Sequence, residues 1–503
     1  MATDTLDVLI IGAGLAGIGA AVQVRQQCPG LSLALLEARS RLGGTWDIFR
    51  FPGVRCDSNI HTLAYRFRPW RGPERIAEGR DILQYLQDTA VEHDIAPLIR
   101  YQHRVVAAHW CSQQARWHLE VEHTVGTTAD DAPSGSSVDT SVQRLTLHAR
   151  FVLMCAGYFH PDEGHAPPLP GQDQFQGRLV HPQHWPHDVN LAGQRVVVLG
   201  SGATAITLAP TLAREGAHVT VLQRSPSHVL STPRHSRLAH GLSRLGLPRL
   251  GAWSTRWASI LGSDWQYAAA RRWPGWMRRR LLSRTARHLH DPATELPAFR
   301  PRYAPWTQRV CFTPDGEFFN ALRTGRLRVH TDEVDTLTPT GVQLRSGQHL
   351  PADCIVTATG LQLRALGGVR LTVDGRPVVV GKTWTYRGMM LAGVPNLVYS
   401  FGTMHNAWTL HTDLCARWAT RVLTHLHRTG HDIACPQAPA GLRPAPYTGL
   451  TAGYVLRAAG QFPRQADQAP WQATPHHLPR WWQSWQPVDD GVLRFSRRAR
   501  PPG

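Results

Sequence analysis

Residues Gly12 to Gly17 read GAGLAG, and residues Gly200 to Ala205 read GSGATA. In each turn the first glycine (Gly12, Gly200) permits a tight bend and the second (Gly14, Gly202) lets backbone approach a pyrophosphate. The third small residue (Gly17, Ala205) lets a helix pack closely on a strand. The amides at the start of that helix, Thr204 among them in the second turn, then face the phosphates. Glu37 and Arg224 stand at equivalent places, roughly 25 residues beyond each first glycine. A carboxylate at Glu37 accepts hydrogen bonds from both hydroxyls of a ribose. A guanidinium at Arg224, with Ser225 beside it, clamps a 2′-phosphate that a carboxylate would repel. The chain is therefore expected to hold two dinucleotides, the second of them NADPH rather than NADH.

The elements that must carry these turns are visible in the hydropathy. Leu6–Ile11 is a short apolar run, Ile18–Gln27 is helix-compatible, and Leu31–Leu36 is a second apolar run, which together make one βαβ unit. The same order returns as Arg195–Leu199, a helix through Arg214, and His218–Leu222. The fold class expected is α/β, with two Rossmann-like dinucleotide-binding domains. Between the two units, Thr127 to Ser141 is rich in Ser, Thr, Asp, Gly and Pro and reads as an exposed hairpin loop. From about Pro226 to His290 strand signals vanish and Arg, Trp, Leu and Ala dominate, which predicts a helical insertion.

Two further segments carry specific patterns. GGTWDIFRFPGVRCD, Gly43 to Asp57, follows the first unit; its paired glycines, Gly43 and Gly44, let backbone pass close to a bulky ligand, with Thr45 and Trp46 next in line. FQGRLVHPQHWP precedes the second unit, and in it Phe175, Gly177, His181, Trp185 and Pro186 complete the pattern FxGxxxHxxxWP. His181 is a candidate general acid, because an unperturbed imidazole titrates near neutrality, or a structural link between the two nucleotide folds.

These segments resemble the type I Baeyer–Villiger and flavin-containing monooxygenases residue for residue, and most closely their ethionamide-activating branch. HTLAYRFRPW, YAPWTQRVCFTPDG, ADCIVTATG and GYVLR extend the resemblance over nearly the whole chain. It implies FAD at the first site, NADPH at the second and O2 as co-substrate, with reduced flavin forming a C4a-peroxide. It implies that Arg309 protects that species, that Asp57 orients Arg309 and borders the cofactor, and that the FxGxxxHxxxWP residues couple domain motion to turnover. The product expected from a ketone is an ester or lactone; from a sulfide or thioamide, an S-oxide. Gln308 stands where many ketone-oxidising relatives have Lys, as it does in the ethionamide-type branch. Trp408 and His405, in GTMHNAWTL, are substrate-pocket candidates, although Asn406 is shifted relative to that branch.

The resemblance also sets the expected domain order. Residues 1–150 form the first part of the FAD-binding domain, 151–225 the first part of the NADPH-binding domain and 226–300 the insertion. Residues 301–355 complete the NADPH-binding domain, and 356–503 complete the FAD-binding domain and include a basic C-terminal tail.

Composition narrows the alternatives. Hydrophobic content of 42% and charged content of 18% are those of a globular chain, and the formal charge of +18 comes from scattered arginines without a nucleic-acid-binding module. None of the eight cysteines has CxxC spacing, which argues against a disulfide reductase and against a zinc site; no metal is expected. No apolar run reaches the roughly 18 residues of a membrane span, so a cytoplasmic enzyme is expected. An N-hydroxylating flavin monooxygenase and an uncoupled NADPH oxidase share the same two nucleotide folds. A non-enzymatic reading makes WPGWMRRRLLSR, Trp273 to Arg284, a membrane-surface helix; the plainer one packs its tryptophans inward and leaves its arginines in water.

Overall fold

A computed structural model describes residues 5–126, 140–186, 188–402, 407–445 and 451–498. The apolar run at the N-terminus is the strand Thr5–Ile11, which lies parallel to Leu33–Leu36 and to the second half of Thr140–Met154. Ile99–Arg100 and Leu397–Tyr399 extend the parallel part on its two sides. The first half of Thr140–Met154 instead pairs antiparallel with Arg116–Gly126, whose other edge meets His103–Cys111. Arg370–Val373 and Arg376–Pro377 complete this nine-stranded sheet, so residues from both ends of the chain build one layer. The pairing of Gly126 with Thr140 makes the expected hairpin, while its loop, 127–139, lies outside the described residues.

The second sheet has five parallel strands in the order Leu327–Thr331, His218–Gln223, Arg195–Leu199, Cys354–Thr357 and Arg178–Val180. Its central strand reads RVVVL, buried from Val196 onward, as a strand covered on both faces should be. The helix Ala203–Arg214 packs Ala205, Ile206, Leu208, Ala209 and Leu212 into that core. In the first sheet, Leu15–Gln27 does the same with Ile18, Ala21 and Val22, backed by the long helix Trp408–Thr429. Both units are thus Rossmann-like, and the fold is α/β as the sequence indicates. Two antiparallel strands, Phe159–Gly164 and Leu361–Leu363, form the ribbon through which the chain passes from one sheet to the other and back.

The stretch after Pro226 departs from its reading. Val229–Thr232 is a strand, paired in parallel with Cys311–Pro314, and helices begin only at Arg237. The β-branched residues of VLST satisfy their ladder with a partner roughly 80 residues away, which local periodicity does not reveal. Three helices follow: Arg237–Arg244, Pro248–Arg272 and Pro274–Ala286. Among the described residues no helix is long and apolar enough to cross a membrane.

Candidate active site

The glycine turn of the first unit opens onto a cavity of about 770 Å³, within the range that holds a dinucleotide. Gly12 has a φ of +102°, and a Cβ on Gly17 would stand 1.8 Å from the Gly12 carbonyl oxygen, so both positions require glycine. Gly44, with a φ of +55°, faces Gly14 so closely that a Cβ on it would sit 3.1 Å from the Gly14 Cα. These two glycines make a side-chain-free floor that backbone-to-phosphate approach requires. Gly14 is also the N-cap of Leu15–Gln27, which aims free helix amides at that floor.

Glu37 closes one end of the cavity. Its Oε2 accepts from the Ala13 amide at 2.8 Å and its Oε1 from the Arg39 amide at 3.0 Å, while burial pushes its carboxyl above the usual range. Thr45 and Trp46 line the same space from the short helix Thr45–Ile48. A residue without a role in the sequence reading anchors that helix: Asp47 is buried, 3.5 Å from Arg39, 3.2 Å from Arg41 and 3.1 Å from Arg50. One carboxylate thus ties three arginines to the glycine-rich segment and holds its backbone in place. Glycine floor, helix amides and buried acid fit a flavin dinucleotide.

The second unit turns its helix toward this cavity. Gly200 has a φ of +126°, and a Cβ on it would meet the Ala358 carbonyl oxygen at 2.4 Å, whereas Gly202 faces open space. Gly202 caps Ala203–Arg214, and Thr204 in its first turn lines the first cavity. Arg224 and Ser225 are exposed just after the strand His218–Gln223. No acid pairs with Arg224 among the described residues; its charged neighbour is another cation, Arg457, whose guanidinium is lowered by burial and then by Arg224. The end of this strand is therefore cationic, and Arg457 was legible only as part of GYVLR, without a role.

Arg309 and Asp57 meet where the two units adjoin. Their nearest atoms, Nη1 and Oδ2, are 3.8 Å apart, and 34% of the Arg309 side chain faces open space. Both residues line the 770 Å³ cavity and also a second one of about 480 Å³, so the pair stands in the wall between them. Burial opposes the Arg309 charge, but the Tyr454 hydroxyl, the Asp57 carboxylate and the Tyr158 hydroxyl outweigh it and push its pKa up. Burial raises the Tyr158 phenol to about 12, keeping it protonated, and its ring stacks on Trp408 with centroids 4.2 Å apart. Trp408, at the start of Trp408–Thr429, therefore belongs to the wall of the first cavity. Tyr158 and Tyr454 were missed because a lone tyrosine in a loop or a short helix carries no pattern. Gln308 lines the second cavity; His405 lies outside the described residues.

The FxGxxxHxxxWP residues gather elsewhere. A Cβ on Gly177 would strike the Phe175 ring at 2.5 Å, and Trp185 packs on the core of the second unit, next to Pro186. The His181 ring lies against Gly164, where a Cβ would stand 1.8 Å from its Cε1, at the end of the ribbon that joins the sheets. Its Nδ1 accepts from the Gln183 amide at 3.2 Å. His181 lines neither cavity, so the geometry favours the link over the general acid.

Burial lowers His181 to about 4, and the same cause takes His61, His228 and His477 to about 4. In each, the unfolded chain binds the proton more readily than the folded one. The stability these neutral rings contribute is present above about 6.5 and is lost as pH falls toward 4. Asp413, raised by burial to about 6, and Glu37, also raised by burial, work the other way, while burial lowers His411 as it does the other four rings. The thermal unfolding midpoint is expected to fall steeply between pH 6.5 and 4; a midpoint independent of pH there would contradict these burials.

Comparison with known proteins places this geometry in a family. Residues 10–71 match the NAD(P)-binding Rossmann-like domain, and residues 86–248 the pyridine nucleotide-disulphide oxidoreductase domain. The FAD-containing monooxygenase EthA of Mycobacterium tuberculosis is 40% identical over 506 residues, covering 100% of both chains. EthA of Mycolicibacterium smegmatis is 40% identical over 93% of this chain and 92% of its own. Among solved structures, a steroid monooxygenase bound to NADP superposes with a TM-score of 0.76 at 21% identity, over 98% of this chain and 100% of that one. A cyclohexanone monooxygenase gives 0.69 at 18% identity, over 86% of this chain and 90% of its own. With identity of 40% to EthA over the whole chain, and His181 of the FxGxxxHxxxWP pattern set against the ribbon between two nucleotide folds, the chain belongs to the FAD-containing monooxygenases.

Proposed function

We propose that this enzyme uses FAD and NADPH to insert one atom of O2 into a small organic substrate, converting a ketone to an ester or lactone or oxidising the sulfur of a sulfide or thioamide. The observation that carries this reading is the Arg309–Asp57 pair in the wall common to the two cavities. FAD would be held by Gly12, Gly14, Gly17, Glu37, Gly44, Thr45, Trp46 and Asp57, and NADPH by Gly200, Gly202, Thr204, Arg224 and Ser225. Once reduced by NADPH, FAD supplies the electrons that activate O2.

The chain's own residues do the rest. Arg309 keeps a permanent positive charge where negative charge develops on oxygen, and Asp57 holds its guanidinium in place. Tyr158 and Trp408 stack to form part of the wall beside Arg309. Substrate takes the 480 Å³ cavity, whose wall carries Gln308 beside Arg309. Phe175, Gly177, His181, Trp185 and Pro186 transmit movement of the second unit through the ribbon. The compartment is the cytoplasm, with peripheral contact at the inner membrane surface; the unpaired state of all eight cysteines supports a reducing environment.

Aerobic turnover of the flavin-loaded enzyme with NADPH and a panel of ketones, sulfides and amines tests the proposal. Under 18O2 one labelled oxygen is expected in an ester, lactone or S-oxide. Hydrogen peroxide in proportion to NADPH with no labelled product would make it an oxidase, and oxygenation confined to amines an N-hydroxylase.

A further inference from the structure

We infer that residues 237–286 form a docking face for an anionic bilayer, from which apolar substrate passes into the 480 Å³ cavity; the second clause rests on the monooxygenase reading. The long helix Pro248–Arg272 buries Ala252, Ile260, Tyr267, Ala269 and Ala270, yet its outer face is apolar as well. Toward the cavity it presents Thr255, Ser259, Ser263 and Gln266. Toward solvent it presents Leu250, Trp253, Leu261 and Trp265, which are 48%, 60%, 50% and 53% exposed. Their spacing places them on one stripe at helical period, so the face that water should cover is apolar.

The stripe continues beyond this helix. The Trp265 ring meets that of Trp276 at 6.3 Å, and Trp273 is exposed as well, so the tryptophans of WPGWMRRRLLSR are not core residues. Helix Pro274–Ala286 buries Met277 and Leu281 instead. Leu245 and Leu247 are exposed in the turn before the long helix, and Leu238 is exposed on one side while lining the cavity on the other. The apolar face and the cavity therefore share a wall, and that cavity reaches Arg309.

Charge decides what this face meets. Residues 237–286 contain ten arginines against one acid, Asp264; Arg256 turns inward to Asp413 and Arg284 lines the cavity, and the rest leave the face strongly cationic. Arg272 lies over the Trp273 ring at 5.7 Å and Arg280 over Trp276 at 5.3 Å. Tryptophan at the depth of lipid headgroups, with guanidinium groups beside it, is the arrangement that holds a helix in the plane of an anionic interface. A second copy of the same face would bring two strongly cationic surfaces together, which disfavours a homodimer.

Co-sedimentation of the holoenzyme with vesicles of phosphatidylcholine alone, or with phosphatidylglycerol added, is the test. Binding is expected only with the anionic lipid and is expected to weaken with salt. It should fall at least tenfold in Trp253→Ser/Trp265→Ser and in Arg271→Gln/Arg272→Gln/Arg279→Gln/Arg280→Gln. Both variants should oxidise a short water-soluble ketone as the parent does, yet lose most activity on a long-chain ketone dissolved in vesicles. Absence of vesicle binding, or a dimer in sedimentation velocity that Trp265→Ser dissociates, would overturn the docking face. Equal activity of parent and variants on the vesicle-borne ketone would overturn the delivery route. Failure of the parent on every ketone and sulfide, with vesicle binding intact, would strike the monooxygenase reading and spare the docking face.

Discussion

Replacing Arg309 by alanine is expected to lower oxygenated product per NADPH about a hundredfold, while NADPH is still consumed and hydrogen peroxide accumulates. The magnitude follows from the place of the side chain. Its guanidinium is a positive charge common to the walls of the two cavities, with Asp57 at 3.8 Å and the Tyr454 hydroxyl hydrogen-bonded to it. Asp57 and Tyr454 raise its pKa despite burial, so the guanidinium keeps its charge. A preorganised donor to oxygen of this kind is worth about 3 kcal/mol, or about two decades in rate. Arg309→Lys keeps the charge but loses the planar fork, and should fall between parent and alanine. Flavin content measured on the same preparations separates loss of chemistry from loss of cofactor. Coupling at the parent level in Arg309→Ala, with flavin bound, would remove Arg309 from the catalytic role.

Much of this site is legible in the sequence because its parts obey short-range rules. A glycine turn between a strand and a helix constrains its own neighbours, so spacing alone places Gly12, Gly14, Gly17 and Glu37. What eludes the sequence is what depends on distant pieces meeting. Tyr454 reaches Arg309 across roughly 145 positions of chain, and Arg457 comes to Arg224 from the same short helix, Gly453–Ala458. Neither tyrosine nor arginine there has a spacing that announces it. The strand Val229–Thr232 is hidden for the same reason, since its partner is Cys311–Pro314. For the tryptophans of the insertion, composition left two readings, exposed or packed inward, and only the fold decides: Pro248–Arg272 lines a cavity with one face and leaves Trp253 and Trp265 exposed on the other.

Arg224→Ala is expected to raise the KM for NADPH between about tenfold and a hundredfold while leaving that for NADH nearly unchanged. A charge-assisted hydrogen bond contributes about 1.5–3 kcal/mol, which corresponds to that range. Arg224 is exposed and faces no acid among the described residues, so removing it leaves no buried charge stranded, and the loss should be confined to the 2′-phosphate. Arg457 gives the prediction its internal control. With Arg224 gone, Arg457 keeps part of the anion site, and Arg224→Ala/Arg457→Ala should bring NADPH and NADH to similar KM values. The product formed per NADPH should stay at the parent level in the single variant at saturating cofactor, because Arg224 lines neither cavity and takes no part in the wall around Arg309. A single variant that retains its preference for NADPH would move the 2′-phosphate site away from the end of His218–Gln223. Equal losses with NADPH and NADH would assign Arg224 to the fold of that strand rather than to the phosphate.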